Sequence, residues 1–190
     1  KDDFAIQNLQ AEVSWSGLEW LLALLFISGA WLVYKALKRD NVKLLYAGVI
    51  VNLVFVWSAI SLIIPKVEIY SQHAAVAFYK GCATQHCYIE THGFKSYAYI
   101  FYSDLQPEDY SNPEQKKYIS DLLDRLEEKG HSRLSSFGLA RMSWMEHGKI
   151  DRPAYMVIKT PSEQVLLNTP GMKKLYDLNG FSFFVRMPDK

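Results

Sequence analysis

Hydrophobic residues are spread very unevenly along this chain. From Trp20 to Pro65 nearly every position is apolar, while the remainder alternates between polar and apolar, so the overall mean hydropathy of −0.06 describes neither part. Leu44–Pro65 is a run of 22 residues without a charge. That matches the ~20 residues a helix needs to cross a hydrocarbon core. The run before it, Trp20–Tyr34, holds 15 uncharged residues and reaches a full span only if Gly17–Glu19 and Lys35–Leu37 are included. Glu19 and Lys35 would then lie near the two interfaces, and Trp20, Tyr34 and Tyr46 at headgroup level. A buried hairpin of a soluble core is the plainer alternative, but such a helix seldom runs so far without a polar face. Pro65, unable to continue the hydrogen-bond ladder, is expected to end the second span.

The turn between the runs carries Lys35, Lys38, Arg39 and Lys43 against Asp40. The positive-inside rule places such a turn in the cytoplasm, with both flanking segments outside, in a periplasm or its equivalent. The expected organisation is a periplasmic connection over 1–18, two transmembrane helices over 19–65, and a periplasmic domain over 66–190. Lys1–Trp15 is too short to fold alone and must pack on the later domain or on something else. Nothing before Trp20 resembles a signal peptide, so further membrane spans upstream of Lys1 are expected.

The polar part reads as a small α/β domain with a mixed sheet. Helices are predicted at Ile69–Lys80, with Tyr70, Ala74, Ala77 and Phe78 as the buried stripe and Gly81 as the stop. A short helix is favoured in Ser96–Tyr102 and another at Ser136–His147 closed by Gly148. The clearest helix starts at Pro113, with Asn112 as N-cap and Gln115 completing a capping-box-like pattern, buries Tyr118, Ile119, Leu122, Leu123 and Leu126, and stops at Gly130. Leu105–Asn112 reads as loop. Strands are predicted at Cys87–Thr91 and Ala154–Lys159. Leu175–Leu178 and Phe181–Arg186 flank Asn179-Gly180, the strongest short hairpin signal, with Phe181, Phe183 and Val185 on one side of the sheet.

Charge and candidate chemistry add little. Lys66–Lys190 holds 16 Lys/Arg and 15 Asp/Glu without a basic block, so nucleic acid is not an expected partner. No nucleotide-binding glycine loop or nucleophile elbow is present, and no cofactor is called for. No acidic pair stands apart from the carboxylates of the Pro113–Lys129 helix. Cys82 and Cys87 could form a short-loop disulfide in an oxidising compartment. A zinc site built from them with His73, His86 and His92 matches no standard spacing. A Cys87–His92 nucleophile pair lacks an orienting group and an oxyanion hole.

Pro65-Lys66-Val67-Glu68-Ile69-Tyr70-Ser71-Gln72 and Tyr88-Ile89-Glu90-Thr91-His92-Gly93-Phe94-Lys95-Ser96-Tyr97 resemble the C-terminal part of bacterial, Bacteroidetes-type membrane glycosyltransferases. These are relatives of the protein O-mannosyltransferases and of the aminoarabinose transferase that modifies lipid A. Asn8–Trp15, Ile150–Tyr155 and Asn179-Gly180-Phe181 extend the likeness through nearly the whole chain, while the Cys82/Cys87 pair departs from it. The resemblance implies an inner-membrane, multi-pass enzyme that moves a sugar from a polyprenyl-phosphate carrier to a lipid or protein acceptor on the outer face. Its acidic catalytic residue would lie in an early loop upstream of Lys1, so none carries over to this chain. Lys66, Lys95 and Tyr97 are the candidates for donor or phosphate contact. The plainer alternative is that Lys66 snorkels and that Tyr97, Phe101 and Tyr102 are core. Two other functional classes stand beside the transferase: an anchored interaction domain without catalysis, and a periplasmic hydrolase or thiol enzyme needing a reactive cysteine.

Overall fold

The computed structural model describes residues 2–106 and 112–188. The chain opens with α1 (Asp3–Asn8), whose first turn is capped by the Asp2 carboxylate accepting from the Ala5 N–H at 3.2 Å. Both apolar runs are helical throughout, as α2 (Trp20–Lys38) and α3 (Val42–Ser71), each long and apolar enough to cross a membrane. Asn41 starts α3 by accepting from the Leu44 N–H at 3.1 Å. The chain divides into two compact units, Ala11–Ser71 and, together, Lys1–Gln10 with Gln72–Lys190.

Small residues let α2 and α3 approach closely. A Cβ on Gly29 would lie 2.6 Å from the Asn52 amide, and one on Gly48 would lie 2.7 Å from Val33 Cγ2. Asn52 is itself tied back to the Gly48 carbonyl at 2.9 Å, so its polar group is satisfied within the helix. Such small-residue seams are how helices associate where surrounding lipid offers no hydrophobic drive. The outward faces are uncovered: Leu21, Leu24, Ile27, Trp31, Leu53, Trp57 and Ile60 are all exposed. This is the reverse of a soluble core helix. Lys35 and Lys38 fold over the Trp31 and Tyr34 rings at 3.9 and 4.9 Å, an amphipathic arrangement suited to a helix end at an interface.

Pro65 does not end α3; the helix runs on to Ser71. A proline removes one bond to the carbonyl four residues earlier, a local loss that neighbouring contacts can outweigh. The turns after it are held within the same unit. Lys66 pairs with Glu19 at 2.5 Å, and the Trp15 indole donates to the Tyr70 hydroxyl at 2.9 Å.

The second unit is a four-stranded mixed sheet with helices on both faces. Its strands are β1 (Tyr88–His92), β2 (Ala154–Lys159), β3 (Met172–Leu178) and β4 (Phe181–Arg186), in the order β1-β2-β4-β3. β1 runs parallel to β2, and the other neighbours are antiparallel. Parallel neighbours need a long crossover, here α5 (Ala98–Tyr102), α6 (Pro113–Glu128) and α7 (Arg133–His147). Asn179 and Gly180 both have positive φ, as the expected β3–β4 turn demands. The central strand β4 is buried along its length, whereas β3 is an exposed edge with a bulge near Leu175.

On one face, Tyr88, Met156, Ile158 and Phe184 pack against Ile119 and Leu123 of α6 and Ala140, Trp144 and Met145 of α7. On the other, Ile89, Val157, Phe181 and Phe183 pack against α4 (His73–Cys82) and Tyr99 of α5. Phe4 of α1 meets Phe181 edge-on at 5.2 Å, so the start of the chain belongs to this sheet. Residues 160–162 and α8 (Gln164–Leu167), for which the sequence offered no signal, bring Leu166 into the first core.

Two local expectations need correction. α4 begins at His73, because Gln72 (φ −147°) breaks it from α3, and it passes through Gly81, which does not adopt positive φ. Of the expected stripe, Ala74 and Phe78 pack in the core, where Ala75, Tyr79 and Cys82 join them, while Ala77 is exposed and Tyr70 belongs to α3. Of the expected 105–112 loop, residues 107–111 lie outside the described residues.

The C-terminus of α7 is closed by Arg186 of β4, which donates to the Met145 and Gly148 carbonyls at 3.1 and 2.7 Å. A cation there satisfies orphan carbonyls and complements the helix dipole. Gly148 is required for space: a Cβ would stand 2.2 Å from Trp144 Cδ1, inside the core. Gly148→Ala should therefore destabilise the sheet unit by about 1–3 kcal/mol, the usual cost of overpacking. Chemical denaturation followed by near-UV circular dichroism checks it.

Candidate functional site

The stretch that carries the sequence resemblance, Tyr88–Tyr97, is β1 and the loop leaving it. Alternation along the strand puts Tyr88 and Glu90 on the face that α7 covers. The Tyr88 ring meets Trp144 edge-on at 4.7 Å, and its hydroxyl donates to the Asp151 carboxylate at 2.7 Å. Arg152 lies over the same ring at 4.6 Å. These contacts fix the edge strand to the β2 entry.

Glu90 is the least expected residue here. It is 5 % exposed, and its partner Arg141 on α7 is 7 % exposed. The Arg141 Nη2 donates to the Glu90 carboxylate and to the Tyr99 hydroxyl of α5, while the other Glu90 oxygen accepts from the Thr91 N–H at 3.1 Å. Burial draws the Arg141 guanidinium down to about 10, which leaves it charged at neutral pH. One strand position past Thr91, the His92 Nε2 lies 3.1 Å from Glu146 on α7. Glu90 and Glu146 thus lie apart from the carboxylates of α6, each held by its own basic partner. Nothing in the spacing of Glu90 and Arg141, 51 positions apart, announces the pair.

Past His92 the chain turns at Gly93 (φ +74°), and the Thr91 hydroxyl donates to the Phe94 carbonyl at 3.1 Å. Lys95 and Tyr97 then point outward, with the ammonium 5.6 Å from the ring centroid. Tyr97 and Phe101 are exposed rather than core, and Tyr102 is half-buried. Lys66, the third cation singled out by sequence, is in the other unit, paired with Glu19 and 4.8 Å above the Trp15 ring.

Cys82 and Cys87 are both buried thiols facing the second core. Their mutual hydrogen bond and burial hold the Cys82 thiol far above its ordinary pKa. That is the opposite of an activated nucleophile. A polar cavity of about 290 Å³ lies beside them, lined by Gln85, His86, Ser103 and Asp104 among others. His86 lies against Arg152 at 3.3 Å, and His73 is exposed. Among the described residues no three His, Cys, Asp or Glu side chains gather as metal ligands.

A larger apolar cavity of about 600 Å³ lies beside the α6–α7 packing, lined by Ile119, Leu123, Phe137 and Arg141 among others. Gln115 is buried at its edge. Asn112 caps α6 as expected, accepting from the Glu114 and Gln115 N–H groups, but the Gln115 amide does not reach back, and neither its nitrogen nor its oxygen is hydrogen-bonded. The capping-box reading fails because this position lies on the 115/119/123 stripe facing the core.

No family model, curated protein or solved structure matches the chain.

Two stability predictions follow from the buried polar groups. Glu90→Ala leaves a buried guanidinium without its carboxylate and should cost about 3–5 kcal/mol, whereas Glu90→Leu with Arg141→Met should cost less than either single change. A double-mutant cycle by urea unfolding measures both. Gln115→Leu removes an unsatisfied buried amide and should stabilise the domain by about 1 kcal/mol, measured the same way.

Proposed function

We propose that this chain is the C-terminal portion of an inner-membrane, multi-pass glycosyltransferase. In this reading α2 and α3 are membrane spans, the basic turn around Arg39 is cytoplasmic, and the sheet unit is periplasmic. The enzyme transfers a sugar from a polyprenyl-phosphate carrier to a lipid or protein acceptor. The observation that carries the reading is the course of the Tyr88–Tyr97 stretch. Its first half is locked into the sheet by buried pairs, and its second half holds Lys95 and Tyr97 out to solvent, a cation for phosphate beside a ring for a sugar face. The uncovered apolar faces of α2 and α3 support membrane placement, and the basic turn supports the orientation.

Catalytic groups are assigned upstream of this chain. Glu90 and Glu146, both largely removed from solvent, are each paired, and the Cys82 thiol is far from activated. The same facts favour the second reading, an anchored interaction domain without catalysis. Coding sequence upstream of Lys1 separates the two: further apolar spans with an acidic loop support the transferase, and a start codon immediately before Lys1 supports the anchor.

Lys95→Ala in the full-length membrane enzyme should lower sugar transfer at limiting carrier-linked donor by about tenfold, the worth of one charge-assisted contact. Its expression and unfolding should be unchanged, since the side chain is exposed. Unaltered transfer removes Lys95 from the donor site.

A further inference from the structure

α5 buries Tyr99 but leaves large apolar side chains facing solvent. Phe101 is 80 % exposed and Tyr97 66 %, with Ile100 exposed beside them. Phe101 stacks edge-on against Tyr102 at 5.1 Å, and Lys80 of α4 lies 5.1 Å from the Tyr102 ring. Lys95 flanks the other end of the patch, over Tyr97. Asp104, a nearby carboxylate in sequence, is engaged by the Gln106 amide at 3.0 Å. The surface is therefore three exposed side chains, Tyr97, Ile100 and Phe101, with the Lys80 and Lys95 ammonium groups beside them.

This patch is rigidly presented. Tyr99, on the inward side of α5, is held by the Arg141–Glu90 pair, and the Ser103 hydroxyl donates to the Tyr99 carbonyl. Tyr99 also packs against Tyr79 of α4 at 6.3 Å between centroids. α4 in turn starts at His73, one residue after the apolar helix α3 ends at Ser71.

We propose that Tyr97, Ile100 and Phe101 insert into the headgroup–acyl boundary of an anionic bilayer, with Lys80 and Lys95 on lipid phosphates. Aromatic rings favour that boundary because one end is apolar and the other wet, and lysines extend from it to the headgroups. Anionic lipid adds attraction for each nearby cation. The occupant is lipid rather than a soluble partner because the patch pairs exposed aromatic and aliphatic side chains with ammonium groups, the combination a headgroup–acyl boundary accommodates, and because the same chain carries two helices whose exposed apolar faces call for lipid. The proposal rests on α2 and α3 lying in a bilayer, and is independent of sugar transfer.

The test uses the whole chain, with Cys82→Ala and Cys87→Ala, reconstituted in phosphatidylcholine vesicles with and without phosphatidylglycerol. An environment-sensitive dye is placed in turn at Ile100→Cys, at Leu53→Cys in α3, and at Glu128→Cys on the opposite side of the sheet. The Ile100 dye should be blue-shifted and quenched more by spin labels near the headgroup than by labels deep in the acyl chains. Phosphatidylglycerol should strengthen this, and Tyr97→Ser with Phe101→Ser should reduce it to the level of the Glu128 dye. If the Ile100 dye behaves like the Glu128 dye while the Leu53 dye is quenched in the bilayer core, interfacial docking is overturned with the spans intact. If the Leu53 dye is also unquenched, the bilayer placement fails and the docking proposal falls with it.

Discussion

The controlling constraint is apolar helix surface that this chain does not cover. α2 and α3 approach at Gly29 and Gly48, where Asn52 and Val33 fit, and their outward faces carry exposed Leu, Ile and Trp side chains. In water each such side chain forfeits about 1.5–3 kcal/mol relative to burial, which is the physical support for the proposed membrane placement. A second constraint sets the topology of the excursion. The chain enters Ala11–Ser71 from α1 and leaves it into α4, and both of these belong to the sheet unit, α1 through Phe4 on Phe181 and α4 through Ala75, Tyr79 and Cys82. Under the proposed bilayer placement, a segment whose two ends are pinned in one folded unit crosses the bilayer an even number of times. Two helices joined by a basic turn satisfy that condition.

Within the sheet unit, the buried Glu90–Arg141–Tyr99 group links three elements far apart in sequence: edge strand β1, helix α7 and helix α5. Buried ion pairs contribute little net stability over apolar replacements, because desolvation offsets attraction. Their consequence here is positional. Glu90 has one partner geometry that leaves no charge unpaired, and that geometry fixes α5 and hence the outward set of Tyr97, Ile100 and Phe101. The exposed loop and the buried pair are two ends of one lever.

Local pattern carried much of this architecture. The two apolar helices, the Asn112 cap with Pro113, the strands around residues 88–92 and 154–159, and the Asn179-Gly180 hairpin are all set by signals within a few residues of each other. The failures have a common form. Pro65 and Gly81 are breakers whose local cost was outweighed by contacts elsewhere, Lys66 with Glu19 in one case and the packing of Cys82 in the other. Gln115 looked like a cap and is a core position, because the stripe it belongs to is decided by the sheet beneath. Glu90 was illegible as a buried acid, since its partner lies 51 residues away on another element. Of the candidate site, the exposed Lys95 and Tyr97 were named from sequence, while the buried pair that positions them was not.

Sidedness tests the account most directly. Single cysteines placed at Asp40 in the α2–α3 turn and at Glu128 at the end of α6 can be challenged with a membrane-impermeant thiol reagent in sealed, right-side-out vesicles carrying the intact protein. The account predicts that Glu128→Cys is labelled at once and Asp40→Cys only after the membrane is permeabilised. Labelling of both positions before permeabilisation would contradict a hairpin that crosses the bilayer and returns.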